Sequence, residues 1–206
     1  MRRVRRNASR AELARYQRII GVYAPYVLIR CAAFTNSRRL SQEIGAYVLI
    51  CTCLMSSKLD HSGQLGILVE VMLETVGPDV TSRGGGEGDE PLLVDRNTRT
   101  LVNALNRMDR PLREVLILHS IEGRRVNELV NLLQKPPAEI EANLASAEEA
   151  LAEDLGLPGI RDVRALLAEY AANQDVDWIL EVACAATAYL AGEFEPTDRP
   201  PRYWLN

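Results

Sequence analysis

The segment from Thr81 to Pro91, TSRGGGEGDEP, constrains the fold of this chain more than any other stretch. It contains four glycines and no apolar residue, so it can neither form a stable helix nor contribute to a core. On both sides of it, apolar residues recur at the spacing of amphipathic helices. We therefore expect an all-α protein with two helical domains joined by a Gly-rich linker.

The linker and the turn signals predict five parts along the chain. They are a basic N-terminal arm at 1–11, a helical domain at 12–80, the linker at 81–94, a second helical domain at 95–156, and a C-terminal helical extension with a tail at 157–206.

Composition favours helix over sheet, since two Phe and two Trp stand against abundant Ala, Leu and Glu. The longest apolar run, from Ile44 to Met55, is far shorter than the ~20 residues that span a bilayer. The Arg-rich start contains Glu12 and does not have the pattern of a signal peptide. We expect a cytoplasmic protein that makes no membrane contact.

Charge is unevenly distributed along the chain. Residues 1–83 contain 12 Arg and Lys against 6 Asp and Glu, whereas residues 84–206 contain 12 against 22. The first 40 residues hold ten Arg and a single acid, Glu12. Such an arm has the charge of a nucleic-acid contact and equally that of a solvated tail.

Three helices are predicted before the linker, at Glu12–Cys31, Leu40–Met55 and Gln64–Val76. Pro25 is expected to kink or divide the first helix, because proline lacks the N–H that continues the ladder. Ser37 or Ser41 is the expected cap of the second helix. The third helix is expected to end at Gly77-Pro78.

Four helices are predicted after the linker, at Asp95–Met108, Leu112–Ser120, Val126–Leu133 and Pro137–Leu155. The last two are separated by a tight turn at Lys135-Pro136. A short helix, a tight turn and a longer helix form the layout of a helix-turn-helix. The second domain is therefore expected to contain this motif.

The C-terminal extension is predicted to form two amphipathic helices, the second capped by Asp175 or Asp177. Two interpretations of this extension are open. The helices complete the core of the second domain, or their aromatic residues form a docking surface, because aromatic side chains contribute strongly to interface energy. The aromatic residues in question are Trp178, Tyr189, Tyr203 and Trp204.

One continuous pattern in the second domain matches a known family. The run Leu101-x2-Ala104-Leu105-x2-Met108-x2-Pro111-x-Arg113-Glu114-Val115-x-Ile117-Leu118 is followed without a gap by Glu128-Leu129-Val130. Further apolar positions continue the register at Ile140, Leu144, Ala147, Leu151 and Leu155. This run resembles the promoter-reading C-terminal domain of extracytoplasmic-function sigma factors of RNA polymerase.

The first domain resembles the polymerase-binding domain of the same family. Tyr23–Val27 is similar to its first core-binding helix, and Leu40–Leu49 is similar to its polymerase-binding helix, with Glu43 at an acidic position of the family pattern. The resemblance covers residues 12–155 and implies core RNA polymerase, promoter DNA and an anti-sigma factor as partners. The polymerase-binding residues that it implies are Arg39, Gln42, Glu43 and Tyr47.

The resemblance also implies DNA contacts in and around the recognition helix, Pro137–Leu155. Its implied DNA-binding residues are Arg124, Arg125, Lys135, Asn143 and Ser146. The helix itself departs from the family, since it carries no Arg or Lys and six acids: Glu139, Glu141, Glu148, Glu149, Glu153 and Asp154.

Two functional hypotheses follow from this departure. The first is a sigma-factor-like transcription initiation protein that binds core RNA polymerase and promoter DNA. The second is a sigma mimic or regulatory adaptor that keeps the fold but binds protein partners, because an acidic helix is repelled by phosphates. Gln64–Val76, which corresponds in order to the promoter-melting helix, has the same character, with Glu70 and Glu74 and no basic or aromatic residue.

An enzymatic function is not expected, and we assign no catalytic residue, cofactor or metal ligand. The GGG at 84–86 has no following Lys-Ser/Thr pair that would make it a phosphate-binding loop. His61 and His119 stand outside any ligand cluster. The cysteines Cys51 and Cys53 lie in an apolar run, as expected of buried, reduced thiols.

Overall fold

The computed structural model describes residues 8–35, 37–59, 64–81 and 96–192, except the side chains of Phe34 and residues 76–81. The chain is all-helical over these ranges. Its α-helices are α1 (Arg10–Thr35), α2 (Arg38–Met55), α3 (Leu65–Thr81), α4 (Arg96–Arg107), α5 (Arg110–Leu116), α6 (Val126–Leu133), α7 (Pro137–Leu155), α8 (Ile160–Ala172) and α9 (Val176–Ala191). None of these helices is long and apolar enough to cross a membrane.

Two prolines lie inside the helices before the predicted linker: Pro25 does not divide its helix, and Pro78 does not end its helix. Pro25 lies inside α1, which continues as one helix from Arg10 to Thr35. The helix α3 runs through Gly77-Pro78 to Thr81, so the predicted end at Gly77-Pro78 is wrong. A proline in the last turn of a helix removes a single backbone hydrogen bond, which the preceding turns tolerate.

The N-cap of α2 is Ser37, one of the two residues predicted for this position. Its hydroxyl accepts a hydrogen bond of 3.0 Å from the backbone N–H of Leu40. Farther along α2, Gly45 allows a close approach, because a Cβ there would lie 2.9 Å from Leu28 Cδ2 and 3.6 Å from Val182 Cγ1. The helices α1, α2 and α9 therefore pack closely at this point.

The helices α6 and α7 have the predicted bounds, which are confirmed at Val126–Leu133 and Pro137–Leu155. The turn between them begins at Gln134, whose φ of 55° is left-handed. The preceding helix is divided more finely than predicted. It consists of α5 and a π-helical turn, Ile117–Ile121, in place of one helix from Leu112 to Ser120. The predicted helix Asp95–Met108 corresponds to α4.

The two C-terminal helices pack on different parts of the molecule. The helix α8 lies against α7 and the π-helical turn, whereas α9 lies against α1 and α2. The expectation that both helices complete the second domain is therefore wrong for α9. Trp178, offered as part of a docking surface, is buried. Tyr203 and Trp204 lie outside the described residues.

Buried apolar side chains from both sides of the linker form one contiguous cluster. It includes Tyr16 and Leu28 of α1, Leu49 of α2, Leu105 of α4 and Val182 of α9. A smaller cluster around Leu118, Leu129 and Ile140 joins α6 and α7 to the helix before them. Thr81, the first residue of the predicted linker, belongs to α3. Residues 82–94 of the linker and residues 1–7 of the arm lie outside the described residues, and the division into domains stays a prediction.

A buried polar cluster connects α1, α3 and α5. The carboxylate of Glu70 accepts hydrogen bonds from Arg113 Nη2 at 2.8 Å, from Arg30 Nη2 at 3.2 Å and from the hydroxyl of Tyr26. All four side chains are buried. Arg113 Nη1 also donates to the carbonyls of Asn106 at 3.1 Å and Met108 at 2.6 Å. The cluster therefore also holds the connection between α4 and α5.

We expect Glu70→Ala to lower the free energy of unfolding by about 3–5 kcal/mol, because it leaves the buried guanidinium groups of Arg30 and Arg113 without their carboxylate. Urea unfolding followed by circular dichroism measures this difference. Glu74→Ala, an exposed acid one turn farther along α3, is the matched control, with an expected change within ~0.5 kcal/mol. Equal effects of the two substitutions would contradict the structural role of Glu70.

Candidate functional site: the exposed faces of α7 and α2

One side of α7 is buried and the other is acidic and exposed. Ile140, Ala147 and Leu151 face the core. The exposed side carries Glu141, Glu149 and Glu153, each about one or two helical turns from the next. Small exposed residues lie on the same side of the helix, before and between the acids: Ala138, Ala142, Ala145 and Ser146. We call this set of seven residues the acidic face of α7.

The other acids of α7 make ion pairs. Glu148 is buried, and both of its oxygens accept hydrogen bonds from Arg164 of α8, at 2.6 and 2.7 Å. Asp154 pairs with Arg107 of α4 at 2.7 Å. Glu139 pairs with Lys135 at the start of the helix. These pairs fix α7 to its neighbours, whereas the three glutamates of the acidic face form no ion pair with any described residue.

The five predicted DNA contacts do not form one surface patch of free positive charge. Lys135 is paired with Glu139, and Arg124 is turned toward α1. Arg125 is exposed, and its backbone N–H donates to Glu128 at 2.7 Å as the start of α6. Asn143 is half-buried and Ser146 is exposed on α7. Their role in DNA binding stays a prediction.

Arg124 and Glu122 complement the break that Pro25 makes in the hydrogen bonds of α1. Because proline has no N–H, the carbonyl of Gly21 lacks its helical donor. Arg124 Nη2 donates to that carbonyl at 3.5 Å. Glu122 Oε2 lies 3.7 Å from Arg124 Nε, and the backbone of Tyr26 acts to lower the pKa of this carboxyl group. The turn after the π-helical segment thus packs against α1 at the turn where Pro25 leaves a carbonyl without its helical donor.

Two buried acids at this junction have strongly shifted pKa values. Burial raises the pKa of Glu114 to about 7, and the nearby Arg110 opposes this shift. Burial raises the pKa of Glu122 to about 8, against the lowering effect of Arg124. Glu114 is packed so tightly against α3 that a Cβ on Gly66 would overlap its carboxyl group. One oxygen of each acid has no hydrogen-bond partner among the described residues.

The predicted polymerase-binding residues lie on α2, where α9 covers part of the surface. Gln42 Nε2 donates to Glu181 of α9 at 2.7 Å. Arg39 and Glu43 pair with each other at 3.3 Å, one turn apart. Tyr47 is half-buried next to Cys51. The structure brings these four side chains to one stretch of α2, and their role in polymerase binding stays a prediction.

The start of α9 is tied to the start of α2. Asp175 caps α9 by accepting a hydrogen bond of 2.9 Å from the Trp178 backbone, and this bond is the main reason why the pKa of Asp175 is lowered. The same carboxylate pairs with Arg38 at 2.7 Å. A partner that binds α2 at this end therefore meets α9 as well.

The polar contacts that join α1 to α3, to α5 and to the turn before α6 were not predicted from sequence. A signal exists in retrospect, because charged residues interrupt apolar runs at Glu70 and at Arg113-Glu114, and Pro25 interrupts an otherwise helical pattern. His119, the other polar group nearby, places Nδ1 2.7 Å from the Arg124 carbonyl oxygen. Within the described ranges, no group of three or more His, Cys, Asp and Glu is arranged to hold a metal ion.

Comparison with known proteins gives no relative for this chain. No protein-family model, no curated protein and no solved structure matches it.

We expect the stability of the protein to fall as the pH rises from about 5.5 to about 8.5. The folded state keeps Glu114 and Glu122 protonated in a range where the unfolded chain, with Glu pKa values of about 4.3, has released these protons. Unfolding therefore releases protons, and the free energy of unfolding decreases by roughly 3–5 kcal/mol across this window. Urea midpoints measured along the pH series test this expectation.

The control is Glu114→Gln combined with Glu122→Gln, which replaces both acids by uncharged groups of the same shape. This variant is expected to flatten the pH dependence. A wild-type curve that rises between these pH values, or a variant curve as steep as the wild type, would show that the two acids are ionised in the folded protein.

We expect Arg124→Ala to lower the free energy of unfolding by about 1 kcal/mol, because it removes the donor to Gly21 and the partner of Glu122. Arg125→Ala, at the adjacent exposed position, is expected to change it by less than ~0.5 kcal/mol. Thermal and urea unfolding of both variants measure the difference. The docking of Arg124 on α1 would be refuted by a larger loss in Arg125→Ala.

Proposed function

We propose that this protein is a regulatory adaptor with the helical layout of a sigma factor, and that it binds a protein partner with a basic surface through the acidic face of α7. The observation that carries this proposal is the combination of Glu141, Glu149 and Glu153 on one exposed side of a helix that contains no Arg or Lys. In this proposal the α6–turn–α7 unit is a helix-turn-helix that presents its second helix to protein.

Electrostatics argue against DNA as the ligand of this face. Binding to duplex DNA derives most of its affinity from cations that replace the counterions of phosphates. The acidic face supplies three carboxylates in the place of such cations. Two of the nearby basic side chains, Arg124 and Lys135, already have partners within the protein. A like charge at this density lowers both the affinity and the association rate.

The same face has the character of a surface for a helical protein partner. Alanines lie among its acids and allow another backbone to approach closely, and the acids can pair with Arg or Lys of the partner. Because Glu148 and Asp154 are held by Arg164 and Arg107, α7 is fixed before the partner binds. A preformed surface reduces the entropy cost of association.

The second candidate is a sigma-factor-like initiation protein that binds core RNA polymerase and promoter DNA in the cytoplasm. It is favoured by the segment around Glu43 and by the ungapped match of residues 101–155. On this hypothesis the two helical domains are joined by the Gly-rich linker at 81–94, and residues 157–206 are an added extension. An anti-sigma factor would then be a further partner.

A DNA titration tests the adaptor hypothesis. Labelled duplex DNA of about 30 base pairs is titrated with the protein and followed by fluorescence anisotropy. The titration is done at low salt, because electrostatic binding is strongest there. We expect no saturable binding by the wild type and a gain of salt-sensitive binding in Glu141→Lys/Glu149→Lys. The matched control, Glu74→Lys/Glu169→Lys, changes the net charge equally at exposed sites outside α7 and is expected to gain less.

Pull-down of purified core RNA polymerase separates the two candidates by surface. If polymerase is retained and Glu43→Arg abolishes retention, α2 is the binding surface and the sigma-like hypothesis gains. If Glu141→Lys/Glu149→Lys abolishes retention and the control pair does not, polymerase is the partner of the acidic face. Sequence-specific protection of a promoter by the wild type would overturn the adaptor proposal.

A further inference from the structure

A cavity of about 360 Å³ lies between α1, the end of α2, the start of α3 and α6. Its volume falls within the range of small-molecule sites, which are mostly apolar and contain a few polar groups. The apolar part of its lining comes from four different segments: Ile19, Val22, Leu59, Leu65 and Leu132.

Two arginines, Arg15 and Arg18, line the same cavity from one side. They are three residues apart on α1, so they lie on neighbouring turns of one helix face. Neither forms an ion pair with a carboxylate of the described residues. In contrast, Ser56, another polar residue of the lining, donates its hydroxyl to the Cys53 carbonyl at 2.6 Å.

Arg15 is only partly exposed, and its Nε is buried without a hydrogen-bond partner among the described residues. Its guanidinium carbon lies 5.4 Å from the ring centre of Tyr16, which limits the directions in which the side chain can turn. The guanidinium group of Arg15 thus carries its charge beside the cavity without a carboxylate partner among the described residues. The cavity thus combines an apolar volume with two cations that lack a counter-charge from the described chain.

We propose that this cavity binds a small amphiphile with one anionic head group and an apolar chain, such as a free medium-chain fatty acid. The carboxylate pairs with Arg15 and Arg18, since guanidinium groups bind carboxylates with two parallel hydrogen bonds. The chain lies against Ile19, Leu65 and Leu132 and removes apolar surface from water. This proposal does not depend on the proposed function, because none of these residues belongs to the acidic face of α7.

Isothermal titration of the full chain with decanoate tests the proposal, with the thermal midpoint as a second readout. We expect one saturable site and a rise of the thermal midpoint. Decanol has the same chain without the charge, and acetate has the charge without the chain. Each is expected to bind at least about tenfold more weakly than decanoate, which corresponds to a loss of about 1.4 kcal/mol or more of binding free energy.

Two kinds of variant locate the binding. Arg15→Gln/Arg18→Gln is expected to weaken decanoate at least about tenfold and to leave decanol unchanged. Leu132→Trp, at a half-buried position, is expected to fill the cavity and weaken both ligands. Arg161→Gln, an exposed arginine on α8 that does not line the cavity, is the matched control and is expected to bind as the wild type does.

The proposal is overturned if decanoate shows no saturable binding to folded protein, or if decanol binds as tightly. It is also overturned if the double arginine variant, checked for folding by circular dichroism, binds decanoate like the wild type. The arginine variant keeps the test valid even if Leu132→Trp fails to fold, because Arg15 and Arg18 are at least partly exposed.

Discussion

The packing of this molecule depends on one buried carboxylate. Glu70 of α3 is shared by Arg30 of α1 and Arg113 of α5, so three helices that are distant in sequence meet at a single charged group. A buried ion pair of this kind adds little stability over an apolar contact but is costly to break. Because Arg113 also holds the carbonyls of Asn106 and Met108, the same cluster sets where α5 begins relative to α4.

A second set of contacts extends this junction and determines which charges remain for other molecules. Pro25 opens the backbone of α1, and Arg124 and Glu122 fill the opening. Arg124 is thereby engaged within the protein, whereas the glutamates of the acidic face of α7 stay in solvent. The exposed side of α7 is thus negative for reasons of both composition and packing. This is the physical basis for preferring a basic protein partner to DNA.

Helix ends were predicted well from the sequence where a neighbouring Pro, Gly or Ser marks them. Pro136-Pro137 and Gly156 bound α7, and the hydroxyl of Ser37 starts α2, so these ends could be placed from neighbouring residues alone. The junction could not be predicted, because nothing in the spacing of Arg113 or Glu70 indicates that they meet across 43 residues. The position of α9 was missed for the same reason, since its apolar stripe fits any apolar surface and Gly45 creates the groove that selects α1 and α2.

Run-off transcription from a pool of bacterial DNA fragments, by core RNA polymerase supplemented with this protein, distinguishes an adaptor from a sigma factor. An adaptor yields no promoter-specific transcripts, because the acidic face of α7 repels the DNA backbone. A known sigma factor in the same assay shows that the polymerase and the template pool are competent. Transcripts that start at defined sites and depend on this protein would rule out the adaptor and establish a sigma factor that reads promoters in spite of its acidic helix.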